Sequence, residues 1–158
     1  LPIDRSFVAM VPLGGRHVNH LWRLLSDLAI PYATLLDLDW GRDGGGWGRI
    51  KTSCEQLLAV GRTSTEVFGA ELGTAQIAAR LAELAARDPR DTAGMTQSIA
   101  AFRSFGVFFS APLDLDYSML TAFFAAYQQL EPGMRGPRAG EPRPAVLGDE
   151  GLPALYDA

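Results

Sequence analysis

The segment that most constrains this fold is an apolar run that ends in two aspartates and a glycine-rich stretch. Residues 32–39 read Tyr-Ala-Thr-Leu-Leu-Asp-Leu-Asp, and Trp-Gly-Arg-Asp-Gly-Gly-Gly follows directly. A short run of apolar and β-branched residues that is closed by glycines is typical of a buried strand. The sequence therefore predicts a core strand over Tyr32–Asp39, with Asp37 and Asp39 at its carboxyl end.

The spacing of these two aspartates points to a cation. Side chains two residues apart on a strand share one face, so Asp37 and Asp39 are expected to point the same way. Their Cα atoms would lie about 6.6 Å apart. At an effective dielectric constant of about 20, two unit charges at that distance repel by about 2.5 kcal/mol. A hard metal ion between them would relieve the repulsion, whereas the alternative role, a helix N-cap, needs only one of them.

The chain before this strand has the pattern of a β-α-β unit. An apolar run, Phe7–Leu13, closes on two glycines, and apolar residues at helical spacing follow from Arg16 to about Ala29. Pro31 ends that helix before the next strand. Strands joined by a helical crossover lie parallel in one sheet. The predicted fold class is therefore α/β, with a parallel sheet flanked by helices.

The rest of the chain adds helices and one more core strand. Helices are predicted over Ile50–Val60 and Tyr117–Leu130, and a strand is predicted over Gly106–Ser110. The alanine- and leucine-rich residues 63–104 are interpreted as a helical insertion, and the proline- and glycine-rich residues 132–158 as a loop. The domain that carries the sheet is therefore expected to be formed by residues 1–62 and 105–131.

A second acidic pair follows the later strand in the same way as the first. Asp114 and Asp116 come shortly after Ser110, again one residue apart. The carboxyl ends of parallel strands share one edge of a sheet, so the two acidic pairs are expected to converge there. Carboxylate oxygens are the ligands that Mg²⁺ and Mn²⁺ prefer. The alternative for this second pair, given equal weight, is capping of the helix that follows.

Composition excludes several classes of protein. The net charge of −4 provides no overall basic field for nucleic acid, which argues against passive DNA coating more than against a metal-dependent enzyme. A single cysteine, Cys54, excludes intrachain disulfides and cysteine zinc clusters and fits the reducing cytoplasm. No apolar stretch reaches the length of a membrane span, so no membrane association is expected.

The glycine-rich stretch after the first acidic pair is a candidate DNA contact. Glycines let a phosphate backbone approach closely, and Arg42 and Arg49 flank Gly44–Gly46. Trp40 and Trp47 could stack on bases or pack in the core. A flexible loop without a ligand is the alternative of equal weight.

These motifs resemble a known family. The segment IPYATLLDLDWGRDGGG, preceded by VPLGG and a helix, is similar to the DxD region of a Toprim domain, a metal-binding fold shared by primases, type II topoisomerases and OLD (overcoming lysogenization defect) nucleases. The tail after DxD, the helical insertion and the later FGVFFSAPLDLD most resemble the OLD nucleases, especially the class whose genes accompany a UvrD-type helicase. The resemblance covers roughly residues 6–130 and implies a Rossmann-like Toprim sheet.

The resemblance assigns roles to the acidic residues. It implies that Asp37 and Asp39 are the catalytic, metal-binding DxD, and that Asp114 and Asp116 serve a second divalent metal. Two family features have no match here, because no glutamate precedes Phe7 and no lysine follows Lys51. Either the site is degenerate or, as we expect, the chain is part of a longer protein, which by the resemblance also contains an ATPase domain.

The sequence thus predicts a metal-dependent DNA endonuclease that hydrolyses phosphodiester bonds with two Mg²⁺ or Mn²⁺ ions. DNA and a UvrD-type helicase are its expected partners. One alternative is a non-catalytic Toprim-like scaffold. A weaker one is a haloacid-dehalogenase-like phosphatase with Asp37 as nucleophile, which the lack of a lysine after Lys51 disfavours.

Overall fold

The computed structural model describes residues 9–12 and 18–128 of the chain. Within them, helices and two short strands alternate in an α/β arrangement, as the sequence predicts. The elements are α1 (Asn19–Asp27), β1 (Thr34–Asp37), α2 (Trp47–Ala59), α3 (Ser64–Phe68), α4 (Thr74–Ala85), α5 (Thr92–Phe102), a 3-10 turn (Arg103–Phe105), β2 (Val107–Ser110), α6 (Leu115–Ala122) and α7 (Phe124–Gln128). No helix in these ranges has both the length and the apolarity needed to cross a bilayer.

The two strands form a parallel pair, and its register fixes where the two acidic segments leave the sheet. Thr34 pairs with Val107, and the ladder ends where Asp37 pairs with Ser110. Buried Thr34 and Val107 lie on the face that packs against the core. The partners Leu35 and Phe108 lie on the opposite face and are exposed.

Two strand predictions need correction. The first strand of the pair ends at Asp37 rather than at Asp39, because the chain turns sharply at Asp39. Residues 9–12, which were predicted to lie within the strand Phe7–Leu13, adopt no regular structure. The remainder of that predicted strand lies outside the described residues.

The core is built around α2, which lies against α1, α3, α4 and α5. Its apolar face contributes Ile50, Cys54 and Leu57, all nearly inaccessible to solvent. The buried apolar cluster consists of Val18, Trp22, Leu38, Trp47, Ile50, Cys54, Leu57, Met95, Phe102 and Val107. Residues from α1, α2, α5 and β2 therefore share one core beneath the sheet.

A buried hydrogen bond links α1 to the sheet. Trp22 is almost fully buried, and its indole Nε1–H donates to the Thr34 hydroxyl at 2.8 Å. An indole nitrogen in the core needs such an acceptor, because an unpaired buried donor costs about 1–3 kcal/mol. This bond fixes α1 against β1 and holds the strand that carries Asp37.

The predicted helices within 63–104 are present as α3, α4 and α5. Thr63 and Glu66 form a reciprocal capping box at the start of α3, and these hydrogen bonds from Thr63 lower the pKa of the Glu66 carboxyl. Asp91 caps α5 through the Gly94 backbone N–H. The assignment of this segment as an insertion stays a prediction.

The other helix boundaries differ by a few residues from the predicted ones. The predicted helix Ile50–Val60 begins earlier, at Trp47. The predicted helix Tyr117–Leu130 begins earlier, at Leu115, and is interrupted at Phe123. Helix ends are set by local capping, which apolar periodicity does not reveal.

Cys54 provides a pH-dependent test of this core. Burial raises the pKa of the Cys54 thiol from 9.0 to about 12, and the neighbouring Glu55 carboxylate adds to the rise. Because the folded state holds this proton more tightly than the unfolded state, the free energy of unfolding should decrease as pH rises from 9 towards 12. Replacing Cys54 with alanine should remove that part of the decrease in chemical denaturation. Thiol labelling of the native protein as fast as that of the unfolded chain would contradict the account.

Candidate metal centre

The segments that follow β1 and β2 pair with each other beyond the strands. The Leu38 backbone N–H donates to the Ser110 carbonyl at 3.1 Å, and the Asp39 N–H donates to the Leu113 carbonyl at 2.6 Å. These bonds carry the parallel pairing past the strand ends and bring the two acid-bearing loops side by side. The expected convergence of the two segments at one sheet edge is therefore observed.

Asp39 has a left-handed backbone, which corrects the expected direction of its side chain. Its φ is +53°, a conformation that aspartate tolerates better than most residues other than glycine. The two-residue strand period no longer applies after such a turn. Asp37 and Asp39 therefore do not share a strand face, and their carboxylates have different partners.

The turn at Asp39 is stabilised by the glycine-rich loop. The Asp39 carbonyl accepts the Arg42 backbone N–H at 3.0 Å, and the Gly46 N–H returns to the Leu38 carbonyl at 2.8 Å. Gly45 lies so close that a Cβ atom built on it would overlap the Asp39 carbonyl oxygen. Position 45 therefore needs glycine, because only a residue without a Cβ atom can lie this close to the Asp39 carbonyl. The loop is thus packed against Asp39, which differs from the interpretation as a flexible loop.

Two arginines bind the Asp39 carboxylate. Arg49, on the first turn of α2, donates from Nε to Asp39 Oδ2 at 3.1 Å and also contacts that oxygen through Nη2. Arg42 Nη1 lies 4.0 Å from Asp39 Oδ1. The Asp39 side chain is only 14% exposed, so these guanidinium groups balance a largely buried charge.

Asp114 has two roles at the start of α6. Its Oδ1 accepts the Tyr117 backbone N–H at 2.7 Å, which confirms the capping alternative for this residue. Its Oδ2 lies 3.5 Å from Arg42 Nη1, the same atom that approaches Asp39. Arg42 therefore bridges carboxylates from the two acidic pairs.

Asp37 lies at the end of β1 and is exposed. Its Oδ1 accepts the Ser110 hydroxyl at 2.8 Å and the Leu115 backbone N–H at 3.2 Å. Leu115 stands between Asp114 and Asp116 in the chain, so Asp37 is tied directly to the second acidic segment. Asp116 lies in the first turn of α6, is exposed, and forms no ion pair with another described residue.

The donor chemistry of this edge suits a hard divalent cation, although the carboxylates are not gathered around one point. Among the described residues, no three acidic, histidine or cysteine side chains form a cluster that could hold a metal ion. The four predicted carboxylates carry four negative charges, and the two arginines beside them carry two positive charges. Two formal negative charges are therefore not balanced by arginine. Asp37 Oδ2 accepts no hydrogen bond within the described part of the chain. The residues therefore fit a divalent ion by charge and ligand type.

The structure also gives the tryptophans and arginines specific partners. Trp47 is buried and its Nε1–H donates to the Asp88 carbonyl at 3.0 Å, while Trp40 donates to the Pro89 carbonyl at 2.6 Å. The tryptophans thus pack and anchor the 88–89 turn. Arg42 and Arg49 lie against carboxylates, which the sequence did not suggest for Arg49 because Asp39 is ten residues away.

Comparison with known families finds a match in the first part of the chain. Residues 1–39 match the model of the overcoming lysogenization defect protein-like TOPRIM domain. The match covers about a quarter of the chain and ends at Asp39, so it includes both aspartates of the first pair. No curated protein and no solved structure shows significant similarity to the chain.

Replacing Gly45 with alanine tests the close approach in the loop. The new Cβ would overlap the Asp39 carbonyl, so the free energy of unfolding should fall by about 3 kcal/mol or more. Gly48 is the matched control: it lies in α2, a Cβ there meets nothing within 4 Å, and alanine should stabilise by up to about 1 kcal/mol. Equal urea midpoints for Gly45→Ala and the unmodified protein would refute the loop geometry.

A double-mutant cycle tests the Arg49–Asp39 pair. Asp39→Asn keeps a residue that tolerates positive φ, and Arg49→Gln removes the guanidinium. The coupling energy from urea denaturation of both single variants and the double variant should be about 1–2 kcal/mol, since both side chains are partly exposed. Additive effects of the two substitutions would show that the pair contributes nothing.

Proposed function

We propose that the chain carries the metal-binding centre of a DNA endonuclease, because its residues 1–39 match the model of the OLD-like Toprim domain. The reaction proposed is metal-dependent hydrolysis of phosphodiester bonds. The acidic edge of the β1–β2 sheet is the proposed site. The finer assignment to the class associated with a UvrD-type helicase is part of this proposal.

One observation carries the proposal: acidic residues from two separate strands meet at one edge. Arg42 Nη1 lies within 4.0 Å of both Asp39 and Asp114. Asp37 accepts a hydrogen bond from the backbone of Leu115, the residue directly after Asp114. Carboxylates brought to one edge in this way supply the oxygen ligands that divalent cations prefer.

We assign Asp37 and Asp39 to one Mg²⁺ or Mn²⁺ ion, and Asp114 and Asp116 to a second. When bound, such ions supply the positive charge that activates a water molecule and stabilises the leaving oxygen of a phosphodiester. The chain's own contribution is positional. The β1–β2 register and the helix α6 hold the carboxylates, and the loop 38–46 fixes the Asp39 backbone.

We propose that Arg42 and Arg49 contact DNA phosphates. Their side chains are 24% and 22% exposed, and both already face the acidic edge. A divalent cation on the carboxylates would compete with the guanidinium groups for the same oxygens. The released arginines would then be placed to bind phosphate with paired hydrogen bonds. This local positive charge would offset the chain's net charge of −4 near DNA.

Two partners of the whole protein are proposed on the family resemblance alone. One is an ATPase domain in the same polypeptide. The other is a helicase of the UvrD type. The catalytic lysine and the additional glutamate of related nucleases would have to come from outside the segment matched by resemblance.

A non-catalytic scaffold is the second candidate function, and the arginine pairing favours it. Asp39 and Asp114 are already paired with Arg42, and Arg49 gives Asp39 a second cationic partner. A site whose cation is an arginine needs no metal for stability. In a scaffold the acidic edge would serve only to hold the two loops together.

Plasmid cleavage with Mg²⁺ or Mn²⁺ tests the endonuclease proposal in the full-length protein. Asp37→Asn and Asp39→Asn should each lower the cleavage rate by about a hundredfold or more, because each removes a charged metal ligand. Asparagine is preferable to alanine at position 39, where φ is +53°. Asp43→Asn, an exposed residue of the same loop, is the matched control and should cleave at the unmodified rate.

The same variants separate the two candidate functions. Cleavage that survives both Asp37→Asn and Asp39→Asn would disprove the assigned site. Calorimetric titration with Mn²⁺ gives the complementary result, since a scaffold should release no metal-dependent heat while a metal centre should.

A further inference from the structure

Ser110 carries a hydroxyl that the sheet places directly against the proposed site. It ends β2 and is the register partner of Asp37 on β1. Its residue is only 8% exposed, whereas Asp37 is exposed. A buried hydroxyl at a strand end must be hydrogen-bonded, so the partner that it uses is informative.

The Ser110 hydroxyl donates its hydrogen bond to the Asp37 carboxylate. Its Oγ lies 2.8 Å from Asp37 Oδ1 and 3.4 Å from the Leu36 carbonyl. A hydroxyl has a single proton to donate, and the shorter contact to a charged acceptor is the stronger bond. The Leu115 backbone N–H adds a second donor at 3.2 Å to the same Oδ1.

Both donors bind Oδ1, and neither of them contacts Oδ2. A carboxylate held at Oδ1 from the neighbouring strand and from the first turn of α6 cannot rotate freely. Asp37 Oδ2 accepts no hydrogen bond within the described residues, and the side chain lies at the exposed edge. This is the arrangement expected of a ligating carboxylate that is oriented by hydrogen bonds from outside the metal shell.

We propose that Ser110 is a positioning residue for the metal ligand Asp37. Its hydroxyl fixes Oδ1 and so keeps Oδ2 available to a divalent cation. The inference rests on the proposed function, since it concerns the same ion. Ser110 itself touches neither the ion nor the DNA, and it acts only through Asp37.

Calorimetric titration of the full chain with Mn²⁺ tests this role apart from catalysis. Ser110→Ala should weaken Mn²⁺ binding about 10- to 100-fold, the usual effect of removing a hydrogen bond to a metal ligand. Ser110→Thr keeps the hydroxyl and should restore binding. Ser98→Ala is the matched control, because Ser98 is also partly buried and its hydroxyl donates to a backbone carbonyl, that of Gly94, at 2.8 Å.

A purely structural role would give a different pattern. Thermal melting without metal shows which variants are folded, and Ser98→Ala should leave the Mn²⁺ affinity unchanged. Equal loss of affinity in Ser98→Ala and Ser110→Ala would overturn the positioning role. So would unchanged affinity in Ser110→Ala when Asp37→Asn binds weakly, and that result would leave the proposed function intact. Absence of Mn²⁺ binding by the unmodified chain would overturn both.

Discussion

The parallel pairing of β1 with β2 determines where each acidic segment of this protein lies. Because Asp37 is opposite Ser110, the chain leaves both strands at the same edge and in the same direction. Backbone bonds from Leu38 and Asp39 then continue the pairing into the loops. Four ladder pairs are few for an independent sheet, so the contacts of α1 with β1 and of α5 with β2 must help to hold the strands in place. The Trp22–Thr34 bond is the clearest of these. A shift of register by one residue would turn Asp37 towards the core and separate it from Ser110.

Charge balance is the second constraint on this edge. Asp39 and Asp114 are largely withdrawn from solvent, and a carboxylate in such a position needs a cation or donors close by. Arg42 and Arg49 meet that need within the chain. Asp37 is exposed and is bound differently, by a hydroxyl and a backbone N–H that both donate to Oδ1. In the proposed site, Asp37 would therefore be the carboxylate most open to a divalent ion, whereas Asp39 and Asp114 are held by arginine.

Much of the fold follows from the sequence, and the site follows only in part. The short apolar runs correctly predicted two core strands in a parallel sheet, at residues 32–39 and 106–110, although β1 is shorter than predicted. The predicted direction of the Asp39 side chain was wrong, because apolar periodicity does not reveal a positive φ at a residue other than glycine. The glycines at 44–46 were noticed, but only the fold shows that Gly45 must approach the Asp39 carbonyl. The partners of Arg49 depend on how the loop closes, which spacing along the chain does not encode. The resemblance to OLD-like Toprim domains agrees with the matched family over residues 1–39.

We propose that the two acidic pairs hold two divalent ions at the edge of the β1–β2 sheet. An anomalous difference map from crystals of the protein grown with Mn²⁺ tests it most directly. We expect one manganese peak at the Asp37 and Asp39 carboxylates and a second at Asp114 and Asp116, with the Arg42 guanidinium displaced from its present position. A map with no peak at this edge, or with manganese bound only elsewhere, would contradict it.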